Sequence, residues 1–142
     1  MTEFVLDCSV AMGWCFNDQT DALTETALAL LKDGTAYVPS LWFLEVSNVL
    51  LAAERRRKIK RSETMQCVEL LRSLPIVQAS SPTSWSEAER VLGLGREYGL
   101  SVYDAVYVDL AARMGLPLAT RDRALRSACK RVDVLLLEAK GR

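Results

Sequence analysis

Four carboxylates in this sequence occupy positions where carboxylates do chemistry. Asp7 closes the apolar run Phe4-Val5-Leu6, and Glu45 interrupts "LWFLEVSNVLLAA". Asp104 opens "SVYDAVYVDLAARMG" three residues after Ser101, and Asp122 follows "LPLAT". Clustered carboxylates repel one another and raise each other's pKa, and a divalent cation relieves that repulsion. An all-oxygen ligand set favours a hard ion, Mg2+ or Mn2+, over zinc. Such an ion with open positions suits phosphoryl transfer, because it activates water and binds phosphate oxygens. The chain has no histidine, so acid–base work falls to carboxylates, Lys, Tyr, Cys or metal-bound water.

Each acid also has a purely structural reading. Asp7 suits a turn or a cap, and Asp122 suits the N-cap of a short helix. Ser101-x-x-Asp104 resembles a capping box, although an Asp in the first helical turn still reaches a site at that end. Glu45 is costly on an apolar helix unless it is paired, metal-bound or at a water-facing rim. Asn48 adds a second polar group to the Glu45 face. Asp109, about 140° round the helix from Asp104, reads as solvated or structural.

The elements that position these residues alternate between strand and helix. "EFVLD", "AYVP", "IVQA", "LPLAT" and "VDVLLLE" read as strands. "DALTETALALLKDG" reads as a helix stopped at Gly34, and "LWFLEVSNVLLAAERRRK" as one capped by Ser40. Ser62 suits the cap of "RSETMQCVELLRSL", and Ser84-x-x-Glu87 opens a helix ending at Gly99. "SVYDAVYVDLAARMG" closes at Gly115, and "RDRALRSAC" is a short last helix. This alternation predicts an α/β fold, a three-layer α/β/α sandwich with a central mainly parallel sheet. Ligands of such sheets sit beyond the carboxyl ends of the strands, where Asp7 and Asp122 lie.

The 142 residues suit one domain, 1–142. Net charge is zero, but residues 1–54 hold eight acids and one base, while "RRRKIKR" (55–61) holds six bases. Cys8, Cys15, Cys67 and Cys129 form no C-x-x-C pair, so the expectation is reduced, mostly buried thiols rather than zinc or a secreted disulfide scaffold. No signal peptide or membrane span is evident. The expected localisation is cytoplasmic.

The order and spacing of three motifs resemble PIN-domain ribonucleases, in particular the VapC toxins of bacterial and archaeal toxin–antitoxin pairs. "VLDCSVAMGWC" is similar to the family's opening strand, Asp and helix. "VPSLWFLEVSNVL" is similar to its Pro-x-x-x-x-Glu-x-x-Asn-x-Leu helix, and "LSVYDAVYVDLAARMGLPLATRDRAL" to its Tyr-Asp-Ala and Thr-x-Asp-x-x-Leu signature. The resemblance implies that Asp7, Glu45, Asp104 and Asp122 bind Mg2+ (or Mn2+), supported by Ser9, Asn48 and Thr120. It further implies cleavage of an RNA substrate, a homodimer and a cognate VapB-type antitoxin.

The basic residues Arg55, Arg56, Arg57 and Lys58 are candidates for the RNA backbone, or else a solvated helix end. Arg121 and Arg123, with Arg126, Lys130 and Arg131, flank Asp122 and are candidates for holding phosphate, or else an exposed helix face. Trp14, Trp42 and Trp85 suit base stacking or core and interface packing. Two further functions compete with a toxin: a housekeeping PIN nuclease that processes RNA without an antitoxin, and a non-catalytic binding module. An Asp-x-Asp phosphatase is disfavoured because Ser9 stands where the second Asp belongs. A phosphoacceptor receiver is disfavoured because paired acids after the first strand and a Lys near the last are not evident.

Overall fold

The structure is a computed structural model and describes residues 2–140. Strand β1 (Glu3–Leu6) lies at its centre, with Phe4, Val5 and Leu6 fully buried, as a parallel strand covered on both faces requires. It pairs in parallel with β2 (Thr35–Val38), Phe4 opposite Ala36, and with β4 (Leu118–Ala119), Leu6 opposite Ala119. Strand β3 (Ile76–Gln78) adds to β2, giving the order β3-β2-β1-β4. The chain leaves β1 towards β2 and returns on the other side, so the order reverses between β1 and β4. Crevices at such reversals are where open α/β sheets bind ligands.

The helices are α1 (Cys8–Cys15), α2 (Ala22–Leu30), α3 (Leu41–Arg55), α4 (Arg61–Ser73), α5 (Trp85–Tyr98), α6 (Val102–Met114) and α7 (Arg123–Arg131), with a 3-10 turn at Asn17–Gln19. With the sheet they make the expected α/β/α sandwich. Helix α6 lies on β1 and β4 and carries α5 and α7; α1 packs on α2 and α3, and α3 on α4. Several caps follow the sequence signals. Ser84 and Ser101 accept from the N–H groups of Glu87 and Asp104, and Gly99 and Gly115 end α5 and α6 at φ 66° and 65°, a backbone glycine adopts without a Cβ penalty.

Other boundaries differ from the sequence reading. Helix α2 stops at Leu30, before Gly34; Gly34 instead admits a close approach, since a Cβ there would stand 2.2 Å from the Thr2 carbonyl oxygen. Ser40 has helical backbone and makes no side-chain cap bond. Ser62 lies inside α4, which starts earlier, with Lys60 N–H donating to Glu63 Oε1 at 3.0 Å. Helix α3 ends at Arg55 in a Schellman turn: Lys58 N–H reaches Ala53 O, Arg57 N–H reaches Glu54 O, and Arg57 takes the positive φ usually given to glycine. The expected last strand, "VDVLLLE", is a single bridge from Leu136 to Leu118, because β4 offers only two residues to pair with. No described helix is long and apolar enough to cross a membrane.

The cysteine expectation is overturned in part. Cys8 and Cys129 are free and buried, but Cys15 and Cys67 form a disulfide with Cα atoms 5.5 Å apart. Spacing along the chain carries no sign that the end of α1 meets α4. This bond matters to α4, which buries only Cys67 and Leu71 among its thirteen residues. Lys58, just before α4, adds an ion pair to Asp18 at 2.9 Å and lies over the Phe16 ring.

Asp109 is structural rather than solvated. It is buried within α6, amid a run of buried residues from Ala105 to Ala111. Arg90 Nε and Arg113 Nε each reach it at 2.8 Å, which clamps α5 against α6. Burial pushes the Asp109 carboxyl up, but the two arginines together outweigh it and hold the carboxyl below its ordinary value of 3.8.

Two outcomes follow for stability. Replacing both Cys15 and Cys67 by Ser should cost about 4 kcal/mol in urea unfolding without reductant, from the entropy of a 52-residue loop; equal stabilities would show the bond not to form. Because the folded pKa of Asp109 is depressed, its contribution is present above about pH 4 and lost as pH falls further. Asp109→Asn should therefore cost on the order of 2 kcal/mol at pH 7 and much less at pH 3, read from unfolding at the two pH values.

Candidate active site

The reversal between β1 and β4 places Asp7 and Asp122 side by side. Asp7 N–H donates to Ala119 O at 3.0 Å, so the end of β1 is tied to the end of β4. The Asp7 carboxylate, only 6% exposed, takes its support from both strand ends. Ser9 Oγ and Thr120 Oγ1 each donate to Oδ2 at 2.7 Å. Those hydroxyls in turn accept the N–H groups of Arg121, at 2.9 Å, and Asp122, at 3.0 Å. Asp122 caps α7 by accepting from Leu125 N–H at 3.0 Å. The structural reading of Asp122 as an N-cap therefore holds.

Asp104 enters from the first turn of α6, with its N–H on Ser101 Oγ at 3.0 Å. Glu45 enters from the second turn of α3, half-buried, and the Tyr107 hydroxyl donates to its Oε1. Asp104 and Tyr107 are three residues apart on α6, so one helix both supplies an acid and positions another. Tyr107 is a site residue that the sequence reading missed. Its signal was the i,i+3 spacing from Asp104.

The electrostatics bind the four acids into one site. Burial raises the Asp7 carboxyl above its ordinary value, the hydrogen bonds from Ser9 and Thr120 oppose this, and the charge of Asp122 adds to it. Burial also raises Glu45, opposed by the Tyr107 hydroxyl and reinforced by Asp7 and Asp104. Asp104 is raised by burial and then by Asp122 and Asp7. Burial, then Asp7 and Glu45, push the Cys8 thiol up to about 12, which leaves it protonated and unsuited to nucleophilic attack. Burial and the Glu45 bond push the Tyr107 hydroxyl up strongly, which keeps it a donor.

Asp7, Glu45 and Asp104, each raised in part by a neighbouring acid, are with Asp122 oxygen donors that fit a hard divalent cation in kind. They are not a closed cage: no group of three His, Cys, Asp or Glu among the described residues is arranged to hold a metal.

The supporting and basic candidates divide. Ser9 and Thr120 hold Asp7, whereas Asn48 is exposed and makes no side-chain hydrogen bond among the described residues. Arg121 pairs with Asp21 at 2.9 Å, Arg126 binds Thr120 O and Glu138, and Lys58 pairs with Asp18. Arg55, Arg56, Arg57 and Arg123 are exposed and form no ion pair among the described residues. Ten residues of α3 set Arg55 about 15 Å from Glu45.

A family model described as the PIN domain matches residues 4–131. The chain belongs to the PIN-domain family. No curated protein matches it significantly. Among solved structures, this PIN domain is similar to PAE2754 from Pyrobaculum aerophilum, at 22% identity and TM-score 0.68, over 89% of this chain and 86% of that one. It is similar to VapBC2 from Rickettsia felis, solved bound to a DNA fragment from their promoter, at 16% identity and TM-score 0.65, over 96% and 98%. It is also similar to VapC20 from Mycobacterium tuberculosis, described as a Sarcin-Ricin loop cleaving toxin, at 16% identity and TM-score 0.61, over 88% and 94%. These likenesses are of fold.

The raised Asp7 carboxyl sets a sign. Its ionisation disfavours the folded state, so stability falls as pH rises through 3.8 towards the higher folded value. In EDTA at pH 7, Asp7→Asn should therefore raise Tm, and the gain should vanish near pH 3. A loss of Tm at pH 7 would show the carboxylate to be needed by the fold.

Proposed function

We propose that this PIN domain is a Mg2+- or Mn2+-dependent endoribonuclease that acts as the toxin of a toxin–antitoxin pair. The reading is supported by Asp7 and the Asp122 segment being tied together through Thr120 at the ends of β1 and β4, and by the charges that act between these two acids, Asp104 and Glu45. A module that only binds a partner has no use for acids that raise one another's pKa.

Asp7, Asp104 and Asp122, with Glu45, would hold the cation, which when bound supplies an activated water and neutralises charge on a phosphodiester. The chain's own residues prepare the site. Ser9 and Thr120 keep Asp7 in place while it is ionised. Tyr107 fixes Glu45, which would help to hold the cation or to orient water. Arg123, beside Asp122, and Arg55 to Arg57 at the end of α3 supply cations for the RNA backbone.

The toxin part of the reading draws on the fold shared with VapBC2 and VapC20. A VapB-type antitoxin and a homodimer are proposed with it.

The test is cleavage of a total-RNA pool by purified protein free of any antitoxin, with Mg2+ or Mn2+, with EDTA, and with Asp104→Asn alongside. Discrete products are expected only from the wild type with metal, and at least a hundredfold less cleavage from the variant. A folded, metal-supplied wild type that cuts no better than Asp104→Asn would end the nuclease reading.

A further inference from the structure

An exposed aromatic ring stands beside the acids, and it is none of the three tryptophans singled out by sequence. Trp14 donates its Nε1–H to Thr24 O at 2.7 Å, and Trp42 is 3% exposed in the core. Trp85 is 84% exposed but lies at the wrong end. Helices α5 and α6 form an antiparallel hairpin turned at residues 99–101, with Arg90 opposite Asp109. Trp85 at the start of α5 is therefore across from the end of α6, away from Asp104.

Tyr103 differs on each count. It precedes Asp104 and is 68% exposed. It shares a stripe of α6 with Tyr107, four residues on, and Tyr107 meets Glu45. Tyr103 thus stands one turn nearer the mouth of the site, on the side of Glu45. The other tyrosines have partners: Tyr37 donates to Glu3, Tyr107 to Glu45, and Tyr98 lies under the Arg131 guanidinium. Tyr103 makes no side-chain hydrogen bond or ring contact among the described residues.

We infer that Tyr103 is a stacking platform for a nucleobase of single-stranded RNA, next to the phosphodiester held at the acids. The inference rests on the nuclease reading above. A nucleotide joins an anionic phosphate to a flat apolar base. Here a cation-seeking acid cluster adjoins an unpartnered flat ring, with exposed Val102 extending the apolar surface. Stacking on a tyrosine tolerates any base, so Tyr103 sets affinity for unpaired strands rather than a sequence code. A duplex keeps its bases stacked on one another and gains nothing from the ring.

The test measures binding of a fluorescent single-stranded RNA, and of the same RNA annealed to its complement, to Asp7→Asn protein in Mg2+, with and without Tyr103→Ala or Tyr103→Phe. Cleavage by the wild type and by Tyr103→Ala runs in parallel. Tyr103→Ala should weaken single-strand binding about tenfold or more, raise KM by a similar factor and leave kcat nearly unchanged. Tyr103→Phe should bind as the parent does, and duplex binding should not respond. Unchanged single-strand affinity in Tyr103→Ala, alongside active wild type, overturns the stacking role alone. Equal losses in Tyr103→Phe assign the effect to the hydroxyl and also overturn it. Loss of a dimer on size-exclusion chromatography, with RNA affinity intact, assigns Tyr103 to a protein interface instead. A wild type that neither binds nor cuts RNA brings down the nuclease reading, and this inference with it.

Discussion

A buried carboxylate at the end of the central strand is the constraint on which the site depends. Asp7 lies where β1 and β4 end together, too far inside to be solvated as an exposed aspartate is. An ionised group in that position is tolerable only with donors aimed at it. Ser9 and Thr120 supply them, one from each side of the sheet's reversal. Their hydroxyls also accept backbone N–H groups of the segment after β4. The loop that presents Asp122 is therefore shaped by the same network that makes Asp7 bearable.

Helix α6 does for the other two acids what the sheet does for this pair. It is buried from Ala105 to Ala111 and has little freedom to shift. It brings Asp104 at its start, and through Tyr107 it fixes Glu45 on α3. Asp109 is the cost of running one helix through the core while keeping α5 attached, and two arginines offset that cost. Two kinds of acid thus share the molecule. Asp109 is held below its ordinary pKa by cations of the chain, whereas Asp7, Glu45 and Asp104 are raised, with no cation of the chain among the causes.

What the sequence disclosed was whatever local chemistry decides. The strands of the sheet and the α5 and α6 boundaries were legible because apolar runs, Ser caps and Gly stops act within a few residues. The candidate acids stood out because Asp7 and Asp122 follow strands, Glu45 interrupts an apolar helix and Asp104 lies three residues after a Ser cap. What stayed hidden depended on partners distant in the chain. Tyr107 was passed over, because its role needs α3 and Glu45 opposite it. Arg121 looked free for phosphate until Asp21 stood 2.9 Å away. The final "VDVLLLE" has strand composition, but its only neighbour is too short to extend a ladder. Ser40 and Ser62 had the right type for caps, and the backbone around them had other hydrogen bonds to use.

The bond between Cys15 and Cys67 also divides the chain topologically. It closes a covalent ring that contains α2, β2 and all of α3, and so contains Glu45. Asp7, Asp104 and Asp122 lie outside that ring, on the two free arms. In an oxidised chain, the ring alone can never assemble the site, however well α3 is formed within it. Both arms must meet across β1 and β4 and then receive the ring through Tyr107 and Glu45. Losing any one of the three parts removes acids from the cluster, so the charge arrangement at the sheet's reversal exists only in the fully closed molecule.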